Sequence, residues 1–346
     1  MTYALLKNPA HTRVSYQDSD ILAVNELMVL TEDLSTDEIR PVEIGGVTYV
    51  LFDCDRPLDE SIIRTLSRLS FVYAVFELHG DLLKPVVLNA DYFIDQELSG
   101  ILKYSGKTNE LFTRLMLNLA QFYMKNPPEV LNILDPLAGK GTTLFEALIQ
   151  GHNAYGVEVD EKVVHESVVY VKKYLETVKY KHETHTEKIS GQSIIGKFTS
   201  SRNQVTIARS KQEEKQGNVR HFEILDGDTR NVSILFKKNH FHAIVADLPY
   251  GVQHGSKTGA GKKQKPQGSA ITRNALGLIS EAMPGWVRVL KPGGVIVLAW
   301  NLFLITREEM AELLTEHGFT VPDTEVDFSH RVDQAIDRDL IVGVLG

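Results

Sequence analysis

The chain has 346 residues, 43% of them hydrophobic and 24% charged, with a formal net charge of -8. That length suggests one large domain or two smaller ones with ample core, and the balance excludes wholesale disorder, collagen-like repeats and a bundle of membrane helices. No apolar run reaches the roughly 18 residues of a membrane span. The start MTYALLKNPAHTRV lacks the regions of a signal peptide, and a single cysteine, Cys54, excludes an intrachain disulfide or a Cys-based zinc site and points to a reducing cytoplasm.

In chain order, residues 47–52 (VTYVLF) and 72–77 (VYAVFE) read as strands. Residues 59–69 (DESIIRTLSRL) read as a helix opened by Asp59 or Ser61. Residues 1–100 are therefore expected to form a small α+β N-terminal domain, with 81–107 as a connector. Leu111, Leu115, Leu119 and Phe122 recur at helical spacing. Beyond residue 129, strand-like runs at 130–134, 154–159, 222–225, 241–246 and 294–300 alternate with helical stretches. That alternation predicts βαβ units and a mostly parallel, doubly wound sheet over 101–346. The polar stretch 172–218, rich in Lys, Glu, Ser and Gln, reads as a partly flexible insertion. Trp286 and Trp300 are expected in the core, and the 12 histidines show no metal-ligand spacing.

Charge is unevenly spread. Residues 1–133 hold 19 acidic and 11 basic side chains, whereas 134–346 hold 26 of each. Within the second part, 171–220 carry 11 Lys/Arg against 5 Asp/Glu. The stretch 248–280 carries Lys257, Lys262, Lys263, Lys265 and Arg273 and no carboxylate. The overall sign argues weakly against a nucleic-acid partner, but these two local basic segments suit one.

The first chemical signal is Asp135-Pro-Leu-Ala-Gly-Lys-Gly-Thr-Thr143, between a strand and a helix. Gly139 and Gly141 allow a tight turn and close approach to a ligand. A P-loop needs GxxxxGK followed by Ser or Thr, and a dinucleotide site needs GxGxxG; neither is met. An S-adenosylmethionine loop fits better, because Asp135 can engage an ammonium group that a phosphate site would repel. Glu158, in Gly156-Val-Glu-Val-Asp160, stands about 20 residues after the turn, where a carboxylate meets ribose hydroxyls. Asp228, in Leu225-Asp-Gly-Asp-Thr-Arg230, has the place of an acid facing an adenine amino group.

The most specific signal is Ala246-Asp-Leu-Pro-Tyr-Gly251, after the strand at 241–246. Methyl transfer to a conjugated, planar amino nitrogen needs its lone pair exposed. Asp247 and the backbone carbonyl of Leu248 or Pro249 can hold the two N–H bonds, Pro249 fixes the turn, and Tyr250 offers a face for a splayed base.

The segments DPLAGKGTTLFEA, GVEVD, GDTR, DLPYG and VLKPGG follow the order found in class I S-adenosylmethionine methyltransferases of the amino-group type. More narrowly, the chain resembles the THUMP-associated tRNA guanine-N2 methyltransferases. KYSGKTNELFTRLMLNLA (103–120) resembles the segment before their cofactor loop, LSRLSFVYAVFELHG (66–80) part of their N-terminal, ferredoxin-like or THUMP-like RNA-binding region, and HRVDQAIDRDLIVG (330–343) has the place of their final hairpin. The resemblance implies a Rossmann-like α/β fold. It implies S-adenosyl-L-methionine held by Asp135, Pro136, Ala138, Gly139, Gly141, Thr142, Glu158, Val159, Asp228, Thr229 and Asp247, with amino-group chemistry at Asp247, Leu248, Pro249 and Tyr250. It also implies RNA, tRNA in particular, as partner, with phosphate contacts from the Lys257–Arg273 loop, and no metal. A DNA amino-methyltransferase for adenine N6 or cytosine N4, and a non-catalytic RNA-binding relative, are the alternatives.

Overall fold

The computed structural model describes residues 1–8, 13–31, 39–100, 108–193, 195–249, 268–323, 326–332 and 334–346. Two sheets organise them. The first holds β1 (Thr2–Lys7), β2 (Arg40–Ile44), β3 (Val47–Asp53), β4 (Val72–His79) and β5 (Leu82–Val86), in the antiparallel order β2-β3-β1-β4-β5. Helices Arg13–Leu30 and Glu60–Arg68 give it the βαββαβ connectivity of a ferredoxin-like unit, extended by one hairpin. Asp59 caps the second helix by accepting from the backbone N–H groups of Ser61 and Ile62. The expected connector is thus partly structured: it contains β5 and the short helix Glu97–Gly100. β5 escaped notice because an edge strand tolerates Pro85 and leaves its side chains largely exposed.

The second sheet holds β6 (Asn132–Asp135), β7 (Asn153–Glu158), β8 (Lys181–Ser193), β9 (Gly196–Ala208), β10 (Arg220–Asp226), β11 (Phe241–Asp247), β12 (Leu290–Asn301), β13 (Phe319–Thr320), β14 (His330–Arg331) and β15 (Asp337–Leu345). Its order is β13-β15-β12-β11-β6-β7-β10-β9-β8, with β14 paired to β15. β10, β7, β6, β11 and β12 run parallel, and β15 is antiparallel to β12. This is the Rossmann-like, doubly wound α/β sheet that the alternation of strands and helices predicts. The order reverses between β6 and β11, so the carboxyl ends of these strands form the crevice where open α/β sheets take ligands.

The parallel strands are apolar because helices cover both faces. Ala243, Val245, Val295 and Val297 belong to one core layer, and Ile244, Ala246, Ile296 and Leu298 to the other. Trp286 and Trp300 are buried in the second layer.

The stretch 172–218 departs from the expected loose insertion. The helix Glu161–Thr177 runs into it, β8 and β9 form a long antiparallel hairpin, and β9 pairs with β10. Val205 and Ile207 anchor the hairpin in the core, while β8 is exposed along most of its length. Its polar faces erase the alternation that marks a half-buried strand. Leu225 pairs with Arg202, so residues beyond Arg202 toward the turn project past the carboxyl edge of β10. Among the described residues no helix is long and apolar enough to cross a membrane.

Candidate active site

The loop after β6 begins with Asp135 and turns through Gly139 (φ +50°) and Gly141 (φ +92°), backbone conformations that strain any residue with a Cβ. A Cβ at Gly141 would also lie 2.9 Å from Ser167 Oγ. Ala138 N–H donates to the Val157 carbonyl at 2.9 Å, which lays the loop against β7. Pro136, Ala138 and Thr142 are buried. Lys140 points away, its Nζ 3.0 Å from Glu166 Oε2.

Asp135 is buried. Its Oδ1 accepts from Leu137 N–H at 3.0 Å, and the Thr143 hydroxyl also bonds the carboxyl. Burial pushes this carboxyl from its ordinary 3.8 up to about 7, and the neighbouring carboxylates Asp247 and Glu158 add to the rise. Glu158 ends β7: its Oε2 accepts from Gly139 N–H at 2.9 Å and its Oε1 from Asp160 N–H at 2.9 Å. The same side chain thereby holds the glycine turn in shape. Val159 follows with 75% of its surface exposed, an apolar face beside two acids.

After β10, Asp228 opens a short turn and accepts from Arg230 N–H at 2.9 Å. Arg230 also grips it through Nε to Oδ1 at 2.9 Å and Nη2 to Oδ2 at 2.7 Å, then reaches Glu281 at 2.8 Å. These bonds hold the Asp228 carboxyl below its usual range. Any further donor arriving here shares both oxygens with Arg230, a constraint that residue spacing does not reveal. Thr229 is buried and accepts from Trp286 Nε1 at 3.0 Å, so its side chain serves the loop's position.

Asp247 ends β11. Its Oδ2 accepts from the Thr108 hydroxyl at 2.6 Å and lies 3.8 Å from Arg338 Nη2. Leu248 is buried, its N–H bonded to the Ala299 carbonyl at 2.8 Å, and Pro249 is exposed beside it. Leu137, Leu248, Pro249, Trp300, Leu304 and Ile305 line an apolar cleft between the glycine loop and this turn.

The fold thus gathers Asp135, Gly139, Gly141, Glu158, Asp228 and Asp247 at one edge of one sheet. Tyr250, Lys257, Lys262, Lys263 and Lys265 lie outside the described residues, and Arg273 falls within the helix Gly268–Val289. Thr108 and Arg338, which approach the Asp247 carboxylate, were not among the residues expected at the site. Thr108 lies in the 103–120 segment and Arg338 in the 330–343 segment, neither of which carries a motif that points to Asp247. Among the described residues no group of three or more His, Cys, Asp or Glu side chains converges as a metal set.

Residues 104–273 match the UPF0020 family, described as an RMKL-like methyltransferase domain. Among solved structures, the chain is similar to TrmN from Thermus thermophilus, at 15% identity and a TM-score of 0.41, covering 89% of this chain and 59% of that one. It is similar to magnesium protoporphyrin IX methyltransferase from Synechocystis PCC 6803, at 13% identity and a TM-score of 0.35, covering 70% and 87%. A third likeness is to 1,6-didemethyltoxoflavin-N1-methyltransferase from Burkholderia thailandensis, at 16% identity and a TM-score of 0.38, covering 68% and 79%. No curated protein matches the chain.

Proposed function

We propose that this chain, whose residues 104–273 match an RMKL-like methyltransferase domain, uses S-adenosylmethionine to methylate an exocyclic base nitrogen in RNA, specifically guanine N2 in tRNA. The observation that carries this reading is the Asp247-Leu-Pro segment at the carboxyl end of β11, followed in sequence by Tyr250, with β11 next to the strand whose glycine loop opens on buried Asp135.

The residues present fit the donor. A buried carboxyl raised to about 7 beside two other acids is relieved by a ligand carrying positive charge, and the donor has an ammonium group and a sulfonium. Asp135 takes the ammonium end, Glu158 the ribose hydroxyls and Asp228 the adenine amino group. The exposed Val159 side chain covers one adenine face. Pro136, Ala138, Gly139, Gly141, Thr142 and Thr229 shape the walls.

When bound, S-adenosylmethionine would supply a methyl group on positively charged sulfur, with neutral S-adenosylhomocysteine as the leaving group. Asp247 accepts one N–H of the target amino group, and the carbonyl of Leu248 or Pro249 accepts the other. That pairing turns the nitrogen lone pair toward the methyl, and Asp247 takes the proton that nitrogen sheds. Sulfonium transfer depends on in-line placement more than on a strong base. Tyr250 offers its ring for stacking on the base, and Leu137, Pro249 and Leu304 line an apolar cleft beside the Asp247–Pro249 segment.

Residues 1–100 form the N-terminal domain of this reading and 101–346 the catalytic one. The first holds 17 Asp/Glu against 7 Lys/Arg, so phosphate attraction falls to the basic segments at 171–220 and 248–280, including Lys257, Lys262, Lys263, Lys265 and Arg273.

The test is transfer of labelled methyl to total RNA and DNA from a deletion strain, followed by nucleoside digestion. Label in N2-methylguanosine from RNA is expected, and Asp247→Ala abolishes it while donor affinity stays near that of the parent. Label confined to DNA adenine or cytosine, or an Asp247→Ala variant of full activity, overturns the reading.

A further inference from the structure

We propose that Thr108 is a positioning residue for methyl transfer: its hydroxyl, aided by the Arg338 guanidinium, sets the orientation of the Asp247 carboxylate. This rests on the reading of Asp247 as acceptor for the target amino group. Thr108 Oγ1 donates to Asp247 Oδ2 at 2.6 Å across 139 positions of sequence. That is the length of a charge-assisted O–H···O⁻ bond, about twice as strong as a neutral one. Arg338 Nη2 approaches the same oxygen at 3.8 Å from β15. Two donors from two separate elements therefore address one carboxylate oxygen.

The mount of the hydroxyl is rigid. Thr108 immediately precedes Asn109, which caps the helix Glu110–Phe122 by accepting from Leu111 N–H at 2.8 Å. Residues Leu111 to Ala120 of that helix are all buried. The Arg338 guanidinium lies 4.7 Å from the Phe112 ring centroid, on the same helix. An aspartate at a strand end has a broad χ2 preference, so its plane is set by what binds it. Fixing Oδ2 fixes the direction in which the carboxylate meets an amino hydrogen. Misplacing a reacting group by about 1 Å can cost on the order of 100-fold in rate. Thr108 does not line the apolar cleft, and its described bond goes to Asp247, so its loss should be felt at the transfer step more than in donor binding.

The experiment compares parent, Thr108→Val, Thr108→Ser and Asp247→Asn in single-turnover transfer to the nucleic-acid pool that the parent methylates, with donor affinity measured by calorimetry. Thr108→Val should lower the rate at saturating acceptor roughly 10- to 100-fold, with acceptor half-saturation and donor Kd within about twofold of the parent. Thr108→Ser should restore most of the rate, and Thr108→Val added to Asp247→Asn should cost nothing further, since the two act through one carboxylate. A Thr108→Val variant at the parental rate, a Thr108→Ser variant as slow as Thr108→Val, or loss of donor binding in Thr108→Val overturns the inference. If Asp247→Asn is fully active, or the parent transfers no label, the underlying reading fails first and takes this one with it. An inactive Asp247→Asn beside a fully active Thr108→Val refutes the role of Thr108 alone.

Discussion

Asp135→Asn separates what the site costs the fold from what it does for the ligand. The Asp135 carboxyl rises from 3.8 to about 7 on burial, which corresponds to about 4 kcal/mol against its charged form. For an acid with a raised folded value, the unfolded chain releases its proton first. Stability is therefore full below pH 4 and declines as pH rises from about 4 to about 7, then levels off. Asparagine keeps the shape, can still accept from Leu137 N–H, and removes the charge. Between pH 5 and pH 8 the variant should gain roughly 2–3 kcal/mol relative to the parent, read by urea unfolding at both values. Glu26, fully buried and also raised to about 7, imposes a slope of the same sign. His152, lowered to about 3 by burial, imposes the opposite one, losing stability as pH falls below 6.5. Neither is altered by the substitution, so the difference between variant and parent isolates Asp135. Donor affinity should move the other way. The parent should bind more tightly as pH rises toward 7, approaching tenfold per unit below that value, because a bound cation must expel the proton. Asp135→Asn should bind weakly with no such dependence. Parallel stability profiles for the two proteins, or undiminished donor affinity in the variant, would refute the reasoning.

Other perturbations follow from the same geometry. Glu146→Ala leaves Arg114, 5% exposed and 3.0 Å from the lost carboxylate, uncompensated; unfolding free energy should fall by about 3–5 kcal/mol in chemical denaturation. Gly141→Ala forces a Cβ into φ +92° and against Ser167 and Phe145; a melting curve should show at least the roughly 1–2 kcal/mol of left-handed strain, and donor titration a weakened site. Alanine at Lys262, Lys263 and Lys265 together should leave donor affinity unchanged and flatten the plot of log affinity for RNA against log salt by about 2 units. An unchanged slope would remove these lysines from the phosphate contacts.

The sequence made some of this legible for identifiable reasons. β6, β7, β11 and β12 are covered on both faces, so Ile133-Leu134, Ala154–Val157 and Val295–Leu298 read as apolar runs, and each ends in a polar residue at the ligand edge. The acids Asp135, Glu158 and Asp247 were findable because strand ends put them there. The hairpin β8–β9 was not, because its order comes from ladder bonds to β10 and from a few anchors such as Val205 and Ile207. Most of its other side chains are polar, and the apolar ones, such as Ile189 and Phe198, are too sparse to set a period. The clamp of Arg230 on Asp228 and the bond from Thr108 to Asp247 arise from tertiary approach. In sequence, Thr108 is only a hydroxyl before a helix, and nothing at positions 105–108 names a partner 139 residues away.

The helix Glu110–Phe122 ties three parts of the molecule to one frame. Just before its first turn stands Thr108, bonded to Asp247. One turn in, Arg114 pairs with Glu146 on the helix Thr142–Ile149 that leaves the glycine loop, and donates to Gln96 at 2.9 Å. One turn further, Asn118 donates to Glu26 at 2.7 Å and to the Arg68 carbonyl at 2.8 Å, both in the ferredoxin-like unit. These contacts are buried or part-buried, where polar groups left unpaired are costly, so the three attachments are set together as the chain folds. A shift of the N-terminal unit cannot be absorbed at a loose linker: it must break the bonds of Asn118 or carry the helix along, and with the helix go the mounts of the glycine loop and of the Asp247 carboxylate. The N-terminal sheet therefore bears on the geometry of transfer even though its charge is wrong for holding phosphates.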